Sequence, residues 1–176
     1  MDTKTILTNF EQTAGIWLAA LDNYSEEDLK LTPALDSWSL GQVYRHLFQS
    51  AMFFQLGNVD FCTGSSENAD GKKTEAGEKA FMECEFPPVE IKVPPSDRYT
   101  PKQPEDKAQI KKDLTMLIER MKTVPEKLEN ATHHGKALHP ALGYLNAIEW
   151  YQLIDMHFRH HMRQKEKLEK LIEPKK

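Results

Sequence analysis

Cysteine is nearly absent from this chain: only Cys62 and Cys84 occur. One disulfide between them is compatible with the sequence. Two thiols with no C-x-x-C spacing and no metal-ligating neighbour point instead to free cysteines in a reducing compartment. A long apolar run is also missing, so no segment approaches membrane-spanning length. The opening Met1-Asp-Thr-Lys-Thr-Ile6 lacks the apolar stretch of a secretion signal. These absences lead to the expectation of a cytoplasmic protein that engages no membrane. An excess of basic charge is lacking as well. Lys and Arg number 23 against 27 Asp and Glu, for a formal charge of −4, whereas nucleic-acid binding calls for a concentrated basic face. No Ser-His-Asp pattern, glycine-rich phosphate loop or paired-carboxylate signature stands out. Internal repeats are absent, and no alternation is strong enough to support a sheet.

The 176 residues suit a single domain, 1–176, with a sizeable core. Apolar spacing marks four helices. The first runs from about Asp2 to Leu21 on a seam of Leu7, Phe10, Ala14, Trp17 and Leu21. The second starts at Ser37 or Ser39, both plausible N-caps, and runs to about Gly57, with Leu40, Val43, Leu47, Ala51 and Phe54 inward. The third follows Pro104 on Ile110, Leu114, Leu117, Met121, Val124 and Leu128, and Pro125 should kink or shorten its end. The fourth begins near Asn146, which has capping-box spacing to Glu149, and runs to about Ile172. The chain therefore reads as all-α: a four-helix bundle with a long crossover, about 58–104, between helices 2 and 3. Such a crossover would set those two helices parallel. It opens with the polar stretch Thr63 to Gly71, read as mobile, and continues as the extended Phe86-to-Pro95 segment, with a short helix near Glu78 to Glu83. Both cysteines fall in this region and read as loop residues.

The fourth helix carries the chemistry. Trp150, Ile154, His157, His161, Gln164, Leu168 and Leu171 follow the 4-3 spacing of a buried bundle stripe, yet three polar groups interrupt its middle. Buried imidazoles need partners. His157 and His161, four residues apart, can present their nitrogens to one metal ion. A pair of hydrogen-bonded core histidines is the alternative. A metal requires a third ligand, and His46, beside the apolar face of helix 2, is the candidate. Gln42, one turn before it, and Gln164 are candidates for orienting ligands or a bound water. Asp155 points off the histidine face. His160 reads as a surface or supporting residue, and His133, His134 and His139 as loop residues facing solvent. Trp38 and Trp150 read as core anchors, and Arg45 and Arg159 as rim residues, for the most part solvated.

Trp38-Ser39-x-x-Gln42-x-x-x-His46-Leu47, together with His157-x-x-His160-His161-x-x-Gln164, resembles the DinB-like superfamily, including its YfiT-type branch. His139-Pro-Ala-Leu-Gly143 before Glu149-Trp150 resembles the approach to the fourth helix in some members. The resemblance implies a four-helix bundle that binds a divalent transition metal, often zinc or nickel, through one histidine of helix 2 and two of helix 4. The matching positions here are His46, His157 and His161. Some relatives are thiol-dependent S-transferases or isomerases using bacillithiol, mycothiol or a similar low-molecular-weight thiol. Others have been described as metal hydrolases, and many have no known activity.

Three functional readings stand beside one another. A metal-dependent enzyme would act on a small-molecule substrate, as a thiol S-transferase or as a hydrolase. A non-catalytic, stress-associated protein would hold a metal or small ligand. A homodimer through an apolar helix face fits any of them.

Overall fold

The computed structural model describes residues 1–87 and 100–172. Helix α1 spans Thr3–Leu21, α2 Leu40–Gln49, α3 Leu56–Gly64, α4 Glu75–Glu83, α5 Lys107–Lys122, α6 Val124–Glu129, α7 Ala147–His160 and α8 Met162–Glu169. A π-helical turn, Ser50–Gln55, joins α2 to α3, and a 3₁₀ turn at Asp28–Lys30 lies between α1 and α2. The architecture is all-α in character, with one small hairpin, β1 Lys136–His139 and β2 Gly143–Asn146.

The helices start where side chains can satisfy free backbone N–H groups. Asp2 accepts from Thr5 N at 2.9 Å and Asp106 from Gln109 N at 2.7 Å. Ser39 and Gln42 form a reciprocal capping box, as do Asn146 and Glu149. Of the two serines that could begin helix 2, Ser39 is the cap. Pro125 ends α5 as expected: the chain pauses at Thr123 and restarts with the proline in the first turn of α6, where its missing N–H costs nothing.

Helix α1 packs against α7 and α5, α2 against α5 and α8, and α3 with the π turn against α7. Their apolar stripes meet in one core, in which Phe10, Trp17, Leu21, Val43, Leu47, Leu117, Met121, Trp150 and Ile154 are fully buried. Trp17 is its pivot, edge-on to Tyr44 at 5.0 Å and to Phe158 at 6.3 Å. Ring contacts between His46 and His157 at one level, and between Phe54 and Trp150 at another, show that the α2–π–α3 rod runs antiparallel to α7.

Several expectations change. Helix 2 continues seven residues past Gly57, to Gly64, by way of the π turn, so the connection to helix 3 is shorter than expected; the short helix expected within it near Glu78 to Glu83 is α4, Glu75–Glu83. Cys62 consequently lies inside α3, fully buried, and Cys84 caps α4 in the left-handed conformation (φ 53°); both are free. The fourth helix is not continuous to Ile172. It breaks at His161, whose ψ of −7° divides α7 from α8, and α8 ends at Glu169, leaving Leu171 exposed. A hairpin forms where no strands were expected. Its four-residue strands are too short to display alternation, and its stability comes from distant partners: Thr74 N donates to Leu142 O at 2.9 Å, and Gly135 N to Ser65 O at 2.8 Å. The Thr63-to-Gly71 stretch, read as mobile, begins inside α3 and is tied to the hairpin by Lys136 N donating to Glu67 O and by Lys136 Nζ donating to Gly71 O. Most of the expected extended Phe86-to-Pro95 segment lies outside the described residues.

Candidate metal centre

Helix α2 carries His46 on the edge of its buried face, between Val43 and Leu47, and α7 brings His157 up from the opposite rod. His161 sits at the break between α7 and α8 and closes the group. The Nε2 atoms of His46 and His157 lie 3.1 Å apart, as do those of His161 and His157. All three ligand atoms fall within 4.8 Å of one another, so the set could hold a metal ion.

The chemistry of these atoms fits a cation. A divalent ion binds imidazole nitrogen at about 2.0–2.1 Å, so two nitrogens sharing one lie roughly 2.9–3.4 Å apart. The observed 3.1 Å separations are inside that span. Gln164 Oε1 lies 2.7 Å from His161 Nδ1 and accepts a hydrogen bond from it; with the ring proton on Nδ1, Nε2 of His161 is a bare lone pair. Ser50 Oγ stands 3.5 Å from His46 Nδ1, and the Trp38 ring lies 4.8 Å from the His46 ring. Nδ1 of His157 is sealed from solvent with no partner. With His161 Nε2 unprotonated, a proton on His157 Nε2 satisfies one of its two imidazole neighbours and not both. A shared cation answers all three lone pairs at once.

Burial keeps the imidazoles neutral, the form a metal requires. It lowers His46 from 6.5 to about 3, with His161 adding to the effect. Burial lowers His161 to about 4, against the opposing pull of Gln164. His157 is held well below its ordinary value, first by burial and then by its two histidine neighbours.

The DinB superfamily is the family whose sequence model matches, over residues 9–164. The chain belongs to the DinB superfamily. No curated protein and no solved structure matches it. Among the described residues of this DinB-superfamily chain, no helix is long and apolar enough to cross a membrane.

The other sequence candidates are distributed unevenly. Gln164 touches the triad. Gln42 does not: its Oε1 accepts from Ser39 N at 2.9 Å, and its Nε2 donates to Pro101 O at 2.7 Å, so capping and the incoming crossover occupy it. Asp155 is turned away, accepting from Thr13 Oγ1 at 2.7 Å and from Arg159 Nε at 2.8 Å. Arg159 is held there and by Cys84 O, not free at a rim. His160 stacks between His161 and Phe86, with centroids at 5.4 and 5.5 Å. Trp150 is fully buried, and Trp38 packs on the core and on His46. His133 and His134 are exposed.

His139 departs from its reading as a solvent-facing loop residue. It ends β1, is half-buried, and lies against Trp150 at 5.5 Å and Phe54 at 6.2 Å. No periodicity marks it, because the contacts that order it come from the hairpin turn and from two separate helices. The signal in the sequence was indirect: a histidine followed by proline, four residues before a glycine that needs positive φ.

Proposed function

We propose that this chain holds a divalent transition metal, zinc or nickel, through His46, His157 and His161, and that the site serves a thiol-dependent S-transferase acting on a small electrophile. The observation that carries the metal is the convergence of three neutral imidazoles inside the bundle, with the Nε2 of His157 3.1 Å from those of both His46 and His161. When bound, such an ion lowers the pKa of a coordinated thiol or water, which makes a nucleophile available at neutral pH.

The chain's own residues set the conditions for that chemistry. Three neutral ligands leave the ion's charge uncompensated, which favours an anionic nucleophile over a neutral one. Gln164 orients His161 by accepting a hydrogen bond from its Nδ1–H. The partly buried ring of Trp38 lies 4.8 Å from the His46 ring, so on that side an ion there would be shielded from water. Among the described residues no carboxylate joins the triad. A general base or acid commonly assists hydrolysis by directing the water and protonating the leaving group, whereas a bound thiolate, once formed, attacks an electrophile directly. This favours transfer over the hydrolase alternative.

Metal analysis of the purified protein tests the first half: one equivalent in the wild type and none in His46→Ala or His161→Ala, with helicity retained. Unchanged metal content in the variants rejects the ligand set. Turnover of a panel of electrophiles with bacillithiol or glutathione, dependent on metal, tests the second half. Hydrolysis of esters or amides without thiol would select the hydrolase, and metal binding without any turnover would select a binding protein.

A further inference from the structure

We infer that His139 is a ligand-binding residue of this site, its Nε2–H anchoring a carbonyl-type oxygen of a small molecule whose apolar body lies on Phe54. Three observations converge. The backbone N–H groups of Ala141 and Leu142 both donate to His139 Nδ1, each at 3.2 Å. An imidazole nitrogen that accepts cannot carry the proton of the neutral ring, so the proton is on Nε2. The turn that ends β1 thus fixes a donor in one orientation, and neither of these bonds uses Nε2. The ring lies against the fully buried Trp150 and against Phe54, which is 44% exposed and offers an apolar surface next to the donor. Finally, Trp150, against which the His139 ring lies, is on the same helix as His157.

A fixed polar donor beside apolar rings is how small-molecule sites set orientation. Trp150 and His157 are seven residues apart on one helix stripe, roughly 10 Å along the axis. A molecule with its reactive atom at the triad and an oxygen at His139 is therefore about the size of a substituted aryl ring. That size estimate rests on the metal reading; the donor itself does not.

The test uses the whole protein freed of metal by chelation, so it stands apart from the outcome of the metal analysis. A long-range ¹H–¹⁵N spectrum should show His139 protonated at Nε2. Benzamide, which joins an aryl ring to a carbonyl oxygen, should shift the His139 Nε2–H resonance, whereas toluene should not. Benzamide affinity should fall at least fivefold in His139→Phe. Phe54→Ala should weaken it similarly while leaving the hairpin turn and the His139 tautomer intact, which guards against a folding defect in the first variant. A proton on Nδ1, a His139 resonance unmoved by benzamide, or undiminished affinity in Phe54→Ala overturns the inference.

Discussion

At the scale of single residues, two side chains illustrate what supporting contacts do. Gln164 fixes the tautomer of His161 through a 2.7 Å hydrogen bond, and the loss of such an outer contact typically weakens metal binding about 10–100-fold. Gln164→Ala is expected to bind zinc or nickel within that range of weakening in chelator competition, with an unchanged urea midpoint for the metal-free form. The histidines also set an acid limit. His46 and His161 titrate near 3 and 4 in the fold against 6.5 in the unfolded chain, so between those values the unfolded state binds more protons. Their contribution is fully present above about pH 6.5 and is lost as pH falls toward 4. Burial lowers His139 to about 4, and it acts in the same direction. The urea midpoint of the chelated protein should be flat from pH 8 to 7 and fall steadily from 6.5 to 4.5; a midpoint constant across that range would show that the rings titrate normally. The triad could be read from the sequence because polar residues at apolar stripe positions need an explanation. His139 could not, since Ala141, Leu142, Phe54 and Trp150 reach it only after the chain reverses.

At the scale of elements, the helices were legible wherever a stripe and a cap coincided, as at Asn146 with Glu149 or at Asp106. What escaped was set by tertiary packing. The π turn at Ser50–Gln55 adds a residue to the helical turn just beyond His46, and such insertions often accompany functional sites. The break at His161 leaves no proline or glycine as a marker. The hairpin depends on Gly143, whose φ of +80° disfavours other residues and whose added Cβ would stand 2.6 Å from Thr74 N and 2.7 Å from Lys72 O. Gly143→Ala therefore meets both strain and backbone collision. It should cost at least about 1 kcal/mol in urea unfolding, since alanine at a positive-φ site destabilises by more than the ordinary glycine-to-alanine gain. Because the hairpin carries His139, the same variant should also broaden the His139 Nε2–H signal. A variant as stable as the wild type would mean that the turn can relax without the left-handed residue.

At the scale of the whole molecule, the candidate centre ties together helices whose histidines are 111 residues apart in the chain. An ion held there binds the folded state and finds no preformed site in the unfolded one, so it stabilises by mass action: about 2.7 kcal/mol at 100 times its dissociation constant. For a domain of this size that corresponds to a rise in Tm of roughly 5–10 °C. His157→Leu sharpens the expectation. The substitution removes a buried ring whose Nδ1 has no partner and whose Nε2 faces two other lone pairs. Leucine removes the unpartnered Nδ1 together with the ring, and His46 and His161, which are only half-buried, can turn the freed nitrogens to water, so the loss of one hydrogen bond is close to neutral. The chelated His157→Leu protein should thus melt no earlier than the chelated wild type, while adding nickel or zinc raises Tm only in the wild type. An equal rise in both would place the ion elsewhere on the molecule. A collapse of the chelated variant would instead mean that the three rings hold the bundle together as a hydrogen-bonded polar core, without need of an ion.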